Sequence, residues 1–386
     1  MSVVRVALVG GPMYDPLYTL IPRFTSETGI AVEVVAHLPH PELNHWVDDA
    51  FSRGDAPVDL LSTHTKYAAS QAQWLSSIED VVPPEDVDDL LERPLTLSRL
   101  DGRLLQVPRN LDVRLLHYRT DLIDAPPSTW GDLAEVAVAA TRGSVSGFLF
   151  PGRDSGLFGT FYELLVGEGG ELFDERLQPA FHSAAGLAAM RYLHDLHSVR
   201  RVTPPELPAW HYDEISIAFR QGQAAMVCDW PGSYHLYVNP TTCAVADRVG
   251  LAALPAGSTG ARPAYAGCHS FAIPTTASNR EGAARLLRYL TSFEAQLLEA
   301  RQGAIPCRAS ALAAIRDEQG QTGAAARWQL LSDAIDTMII PPRFAAYPKC
   351  EDAIWHAAQD AMVGRATADE AIARAAADVA ALVKEA

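Results

Sequence analysis

Apolar positions in the first sixty residues follow two periods that alternate along the chain. Residues 3–9 are an almost unbroken β-branched apolar run ending at Gly10-Gly11, the pattern of a strand buried on both faces of a sheet. Residues 16–27 carry Leu17, Leu20, Ile21 and Phe24 at helical spacing, and Gly29 fits the left-handed residue that ends a helix. A second strand at 30–36, a helix around 43–51 and a short apolar strand at 58–62 follow. This β-α-β-α-β order predicts a parallel, mostly buried sheet with helices on both faces.

In such a sheet helix N-termini and free backbone donors converge beyond the carboxyl ends of the strands, so ligands collect in those loops. Here the loops are "GGPMYD" and "STHTKY", both polar and aromatic. Farther on, "DGRLLQVPRNLDVRLLHYRTDLI" predicts a turn at Asp101-Gly102, a strand, a break at Pro108-Arg109-Asn110 and a second strand at 113–118. Ser128 or Thr129 stands where the helix of "WGDLAEVAVAA" needs an N-cap. The middle of the chain is more helical, near 158–166 and 184–198. A strand-loop-strand pattern returns at 249–274, and from Ala311 onward the pattern is helical apart from "IIPPRFAAYP". The stretch "FRQGQAAMVCDWPGSYHLY" joins a helix end, a small apolar strand and a cluster of aromatics. Its Trp230 reads either as core or as a presented ring.

Composition narrows the function classes. The chain has 386 residues, enough for two or three domains with cores of their own. Its 31 basic and 47 acidic residues give a net charge of -16, which opposes binding to phosphate backbones and anionic lipid, so no nucleic-acid partner is expected. No window approaches the roughly 18 consecutive apolar residues that span a bilayer. The N-terminus runs straight into a strand pattern rather than a signal peptide, which points to a cytoplasmic protein or to one lacking its leader ahead of Met1-Ser2. The five cysteines are scattered, without CxxC or Cys/His ligand spacing; they allow at most two disulfides and suggest no metal.

Catalytic signatures are missing: there is no GxGxxG, GxxxxGK[ST], GxSxG or HExxH. Cys268 sits beside His269, but neighbours on a strand point to opposite faces and do not form a nucleophile–base pair. A glycoside-acting or cysteine hydrolase therefore ranks below a binding protein, and no cofactor is expected.

Five stretches, in order and spacing, resemble the family 1 extracellular solute-binding proteins, the sugar-binding subunits of ABC importers related to maltose-binding protein. They are "FTSETGIAVEVV", "DGRLLQVPRNLDVRLLHYRTDLI" with "PPSTWGDLAEVA", "FRQGQAAMVCDWPGSY", "GLAALPAGSTG" through "GCHSFAIPTTASNREGAARLLRYLTSFEAQ", and "GAIPCRASAL". The resemblance implies a two-lobed, type II periplasmic-binding-protein-like α/β fold, each lobe a mostly parallel sheet flanked by helices, with a hinged cleft that closes on ligand. Residues 1–111 and 265–311 would form the N-terminal lobe. Residues 112–264 and 312–386 would form a more helical C-terminal lobe, with hinge crossings near 108–113, 264–267 and 307–315. It further implies a monomer, periplasmic or membrane-attached outside the cell, that delivers its small-molecule ligand to ABC permease subunits; a cytoplasmic location stays open.

A sugar site needs aromatic platforms together with planar carboxylate, amide or guanidinium partners. By the resemblance Trp230 matches the family's stacking tryptophan and Asp112 its hydroxyl-accepting carboxylate, flanked by Arg109 and Asn110. Met13, Tyr14 and Asp15 of the first loop and His64, Thr65 and Lys66 of the second are candidates, against the plainer reading of ordinary turn and solvated loop residues. Arg153, Asp154 and Phe158, and then Arg343 and Tyr347, are expected from later segments. Gly267 and His269 lie where relatives have a glycine pair; Cys268 replaces the second glycine and is expected to narrow the pocket. Tyr234 and Tyr237, on one helix face, read as packing. If Arg109, Arg153 and Arg343 converge, a sugar acid, sugar phosphate or glycerophosphodiester would fit better than a neutral sugar.

Overall fold

The computed structural model describes residues 2–54, 56–320 and 325–385. The chain divides into two compact units: residues 1–112, 267–325 and 343–345 form the first, and 113–266, 326–342 and 346–386 the second. The passages after Asp112 and Ala266 lie one and two residues beyond the boundaries expected from sequence. Residues 312–325 and the short segment Arg343–Ala345 group with the first unit rather than the second. The helix Ala309–Gly320 stays there because it packs on the helix Phe293–Arg301 of the same unit.

The strands, numbered along the chain, are β1 (Val3–Val9), β2 (Ala31–Leu38), β3 (Leu60–His64), β4 (Arg99–Leu100), β5 (Arg103–Leu104), β6 (Val107–Val113), β7 (Leu115–Arg119), β8 (Ser146–Leu149), β9 (Ala224–Asp229), β10 (Val249–Ala252), β11 (Ala264–Ala272), β12 (Ile305–Pro306) and β13 (Met338–Ile339). In the first unit the sheet order is β12-β6-β11-β3-β1-β2. Strand β1 runs parallel to both β2 and β3, the product of the β-α-β-α-β start. Alternation then sorts the side chains: Val4, Val6 and Leu8 join Phe24, Phe271 and Leu287 on one face. Ala7 and Val9 join Val47, Phe51 and Ala272 on the other.

The pairing is mixed rather than mostly parallel. Strand β11 is antiparallel to β3, and β12 is antiparallel to β6. Both arrive after long excursions of the chain, not through the crossover helix that would force a parallel entry. In the second unit a four-stranded sheet has the order β10-β7-β9-β8, in which β8 and β9 are parallel and the other two pairs antiparallel.

Three local expectations shift. The predicted helix 16–27 is two short ones, Asp15–Tyr18 and Ile21–Thr28; Gly29, at φ 70°, supplies the left-handed end of the second. Thr129 is the N-cap that sequence left open between two residues, in a capping box with Asp132. The predicted break at Pro108-Arg109-Asn110 lies inside strand β6. Pro108 is tolerated near the strand's start, where its missing N–H costs little, and its carbonyl accepts a hydrogen bond from Gln296 Nε2.

Candidate functional site

In the first unit the carboxyl ends of β1, β2 and β3 gather a cluster of histidines and tyrosines. His269 of β11 stands opposite His64 of β3 in the antiparallel register. The two rings lie 5.1 Å apart, and His40, which opens the helix His40–Ser52 after β2, completes a triangle at 5.1 Å from His269 and 5.6 Å from His64. Tyr14 of the first loop packs edge-on to His269 at 4.8 Å, its hydroxyl 3.1 Å from Nε2. Tyr67 borders His40 and His64, and the Lys66 ammonium lies 5.0 Å from the centre of the Tyr67 ring.

Gly267 allows this approach: a Cβ there would stand 2.2 Å from His64 Nε2, a distance no side chain tolerates. Cys268 points the other way and meets Cys307 at 3.6 Å, so it does not narrow the space beside His269. The backbone N–H of Lys66 donates to His64 Nδ1, which fixes the ring at the end of β3.

Asp112 joins the same cluster from the end of β6. It is 4% exposed, accepts a hydrogen bond from Asn110 Nδ2 at 2.8 Å and lies 3.7 Å from His269 Nε2. Burial, with the neighbouring positive charges of Arg109 and Lys66, pushes the His269 pKa down to about 3. His64 is likewise held well below its usual range by burial and by His269 and Lys66. Both imidazoles are therefore neutral near pH 7, each able to donate one hydrogen bond and accept another. Among the described residues, the buried atoms His269 Nδ1, Asn110 Oδ1 and Thr65 Oγ1 have no protein partner. Such atoms are rare in folded proteins and mark places where a polar ligand or solvent completes the bonding.

Arg109, Arg343 and Arg153 are each engaged by acceptors of their own unit. Arg109 is 1% exposed and grips Glu299 through Nε at 2.8 and 3.0 Å, while its other nitrogens reach the Tyr14 carbonyl and the Tyr18 hydroxyl. Its role is to hold the first loop against β6. Arg343 donates to the carbonyls of Leu97 and Arg99. Arg153, in the second unit, pairs with Asp154 at 2.7 Å and donates to the Ala209 carbonyl. A guanidinium with five donors finds acceptors in its own surroundings, and these three have done so. Asp15 is also engaged locally, accepting from the Gly11 N–H and contacting His37, which closes the first loop. Met13 is a half-buried residue of that loop.

The second unit, taken by itself, holds an aromatic group. Trp230 follows β9 and is half-buried, with Tyr212 at 5.0 Å and Tyr265 at 6.0 Å between ring centres. Phe158 and Tyr347 are fully buried and pack below, Phe158 touching Tyr265, Tyr162 and Tyr347, so they support the group rather than present a surface. Asp154 begins the helix Asp154–Gly167 at φ 53°, a left-handed conformation costly for a non-glycine residue. Tyr237 is fully buried, and Tyr234 lies under the Arg327 guanidinium at 5.1 Å, so both pack as expected.

Sequence reasoning missed His40, Tyr67, Tyr212 and Tyr265. For His40 a signal existed: "LPHPEL" follows the second strand and is the third carboxyl-end loop of the same sheet. No local pattern marks Tyr212 or Tyr265, which meet Trp230 only through folding. Among the described residues no group of three or more His, Cys, Asp or Glu could hold a metal ion. No helix there is long and apolar enough to cross a membrane.

The first unit thus holds a histidine-rich polar cluster and the second an aromatic one. A family model described as bacterial extracellular solute-binding protein matches residues 19–327. The "Probable amino-acid ABC transporter periplasmic-binding protein y4oP" of Sinorhizobium fredii is 25% identical over 324 residues, covering 80% of this chain and 73% of that protein. Among solved structures, maltose-bound MalE3 of T. maritima superposes with a TM-score of 0.91 at 26% identity, covering 98% of this chain and 99% of that one. An Agrobacterium vitis S4 ABC transporter solute-binding protein with bound D-mannitol gives 0.88 at 21% identity, covering 100% and 99%. A family match across most of the residues and a two-unit α/β fold shared with such proteins agree: the chain belongs to the bacterial extracellular solute-binding proteins, the ligand-capturing components of ABC transporters.

Proposed function

We propose that this protein captures a neutral sugar or polyol and delivers it to a membrane permease, making and breaking no bond. The observation that carries this reading is the set of buried polar atoms without protein partners, His269 Nδ1, Asn110 Oδ1 and Thr65 Oγ1, beside neutral imidazoles and the Asp112 carboxylate. Alternating donors and acceptors of this kind match hydroxyl groups, which do both. The half-buried Trp230 with Tyr212 and Tyr265 supplies the apolar face that a sugar ring or carbon chain needs. The maltose-bound relative supports the ligand class. As in that family the protein would act as a monomer outside the cytoplasmic membrane, closing its lobes on the ligand.

An anionic ligand is disfavoured because Arg109, Arg153 and Arg343 are each bound to acceptors of the protein itself. An amino-acid ligand is the second reading, favoured by the name of the Sinorhizobium relative. It needs a cation for the α-carboxylate, and Lys66 is the candidate. A thermal-shift panel of maltose, D-mannitol, glucuronate, glucose 6-phosphate and the twenty amino acids separates these readings. Stabilisation by a neutral polyhydroxylated compound alone is expected; stabilisation only by amino acids or anions would overturn the proposal.

A further inference from the structure

Asp229, the last residue of β9, is fully buried, and no cation pairs with it among the described residues. Its Oδ1 accepts a hydrogen bond from the Trp230 backbone N–H at 2.8 Å. Its Oδ2 accepts one from the hydroxyl of Tyr237, eight residues on. Between them the chain makes a 3-10 turn at Pro231–Ser233 and one helical turn at Tyr234–Tyr237. The Tyr237 ring is wedged between His117 at 4.8 Å and Phe219 at 4.9 Å, so the far end of this knot is anchored in the core.

A buried carboxylate without a cation is costly, and a turn can be closed by a neutral side chain at lower cost. What the carboxylate offers beyond an amide is two acceptor oxygens, each free of a hydrogen, for donors that arrive from different directions. One donor is the backbone of the tryptophan itself, another the Ser233 hydroxyl of the turn, and the Tyr237 hydroxyl reports the position of the core. Trp230 leaves the strand at φ -78° and ψ 154°, an extended conformation without a side-chain cap of its own. Its indole direction therefore depends on how its N–H is held.

We propose that Asp229 is a positioning residue for ligand binding, acting through Trp230 by tying its backbone to Tyr237. The inference rests on Trp230 being a ligand platform, and the test separates the two. Asp229→Asn keeps the shape but offers one acceptor oxygen for the donors of Trp230, Ser233 and Tyr237. Subtracting the emission spectrum of Trp230→Ala from that of the parent isolates the Trp230 component among seven tryptophans. The same subtraction between Asp229→Asn and the double variant isolates it in the altered background. The Trp230 component is expected to move to longer wavelength and become easier to quench with acrylamide in the Asp229→Asn background. Calorimetric titration with maltose should weaken by about 10-fold in Asp229→Asn, and by no further factor when the change is added to Trp230→Ala.

An unmoved Trp230 component, or losses that multiply in the double variant, would overturn the proposal. If Trp230→Ala binds maltose as tightly as the parent, the platform reading fails, while the emission comparison still decides whether Asp229 sets the indole. Should Asp229→Asn fold poorly, Tyr237→Phe cuts the same tie and should move the Trp230 component in the same direction.

Discussion

Trp230 carries the sharpest residue-scale prediction. Half-buried against Tyr212 and Tyr265, it can be truncated without opening the core beneath, where Phe158 and Tyr347 remain packed. Trp230→Ala is expected to weaken ligand binding by about 10-fold, the loss of one stacking contact, with little change in the unliganded Tm. A steep fall in Tm with affinity intact would make Trp230 core instead. Asp112→Ala removes a charged acceptor beside His269 and should weaken calorimetric affinity by about 10- to 100-fold, while Asp112→Asn, which keeps one acceptor, should lose less. Much of this candidate site was nameable from the sequence because loops beyond parallel strands are where ligands collect whatever their residues. Which candidates face one another was not: Arg109 reads as a cleft arginine, yet it is committed to Glu299, 190 positions away in the chain.

At the scale of elements, two buried ion pairs pin the strands that carry the site. Arg109 of β6 holds Glu299 of the helix Phe293–Arg301. Arg114, just after β6, holds Glu163 of the helix Asp154–Gly167, and Glu163 also accepts the Tyr265 N–H at 2.8 Å. Removing one partner leaves an unpaired buried charge, so Arg109→Leu is expected to lower unfolding free energy by about 3–5 kcal/mol in urea titration. The double change Arg109→Leu with Glu299→Leu should recover most of it. If the single variant is as stable as the parent, the pair is not a structural clamp. Strand and helix periods marked most of these elements in advance. The β6 proline did not read as strand, because a local rule cannot know that Pro108 lies near the start of the strand, where a missing donor is tolerated.

For the whole molecule, burial of histidines sets the response to acid. His117 and His269 are each pushed down to about 3, His117 by burial and the nearby Arg327, and His64 moves in the same direction. Between the ordinary histidine value near 6.5 and pH 3 the unfolded chain binds protons that the folded one refuses, so folding stability falls as pH drops through that window. Each histidine contributes a slope of about 1.4 kcal/mol per pH unit. Asp229, raised to about 6 by burial, works the other way between pH 6 and 4 but is outnumbered. The urea midpoint should therefore decline steadily from pH 7 to pH 4; a flat profile would mean that these histidines are protonated in the folded protein. Ligand is expected to reduce the radius of gyration in solution scattering, and an unchanged radius at saturation would count against hinge closure.

By itself the sequence determined the elements, the α/β class and the family, because strand and helix periods, caps and segment order are local properties that survive divergence in individual side chains. It also marked the loops that carry the candidate site. Only the tertiary structure decided which polar groups are spent inside the protein and which remain open. That choice depends on contacts between distant segments: Gly267 making room for His64, Glu299 claiming Arg109, Tyr237 returning to Asp229. Hydrogen-bond satisfaction is a property of the folded whole, and no window of sequence contains it.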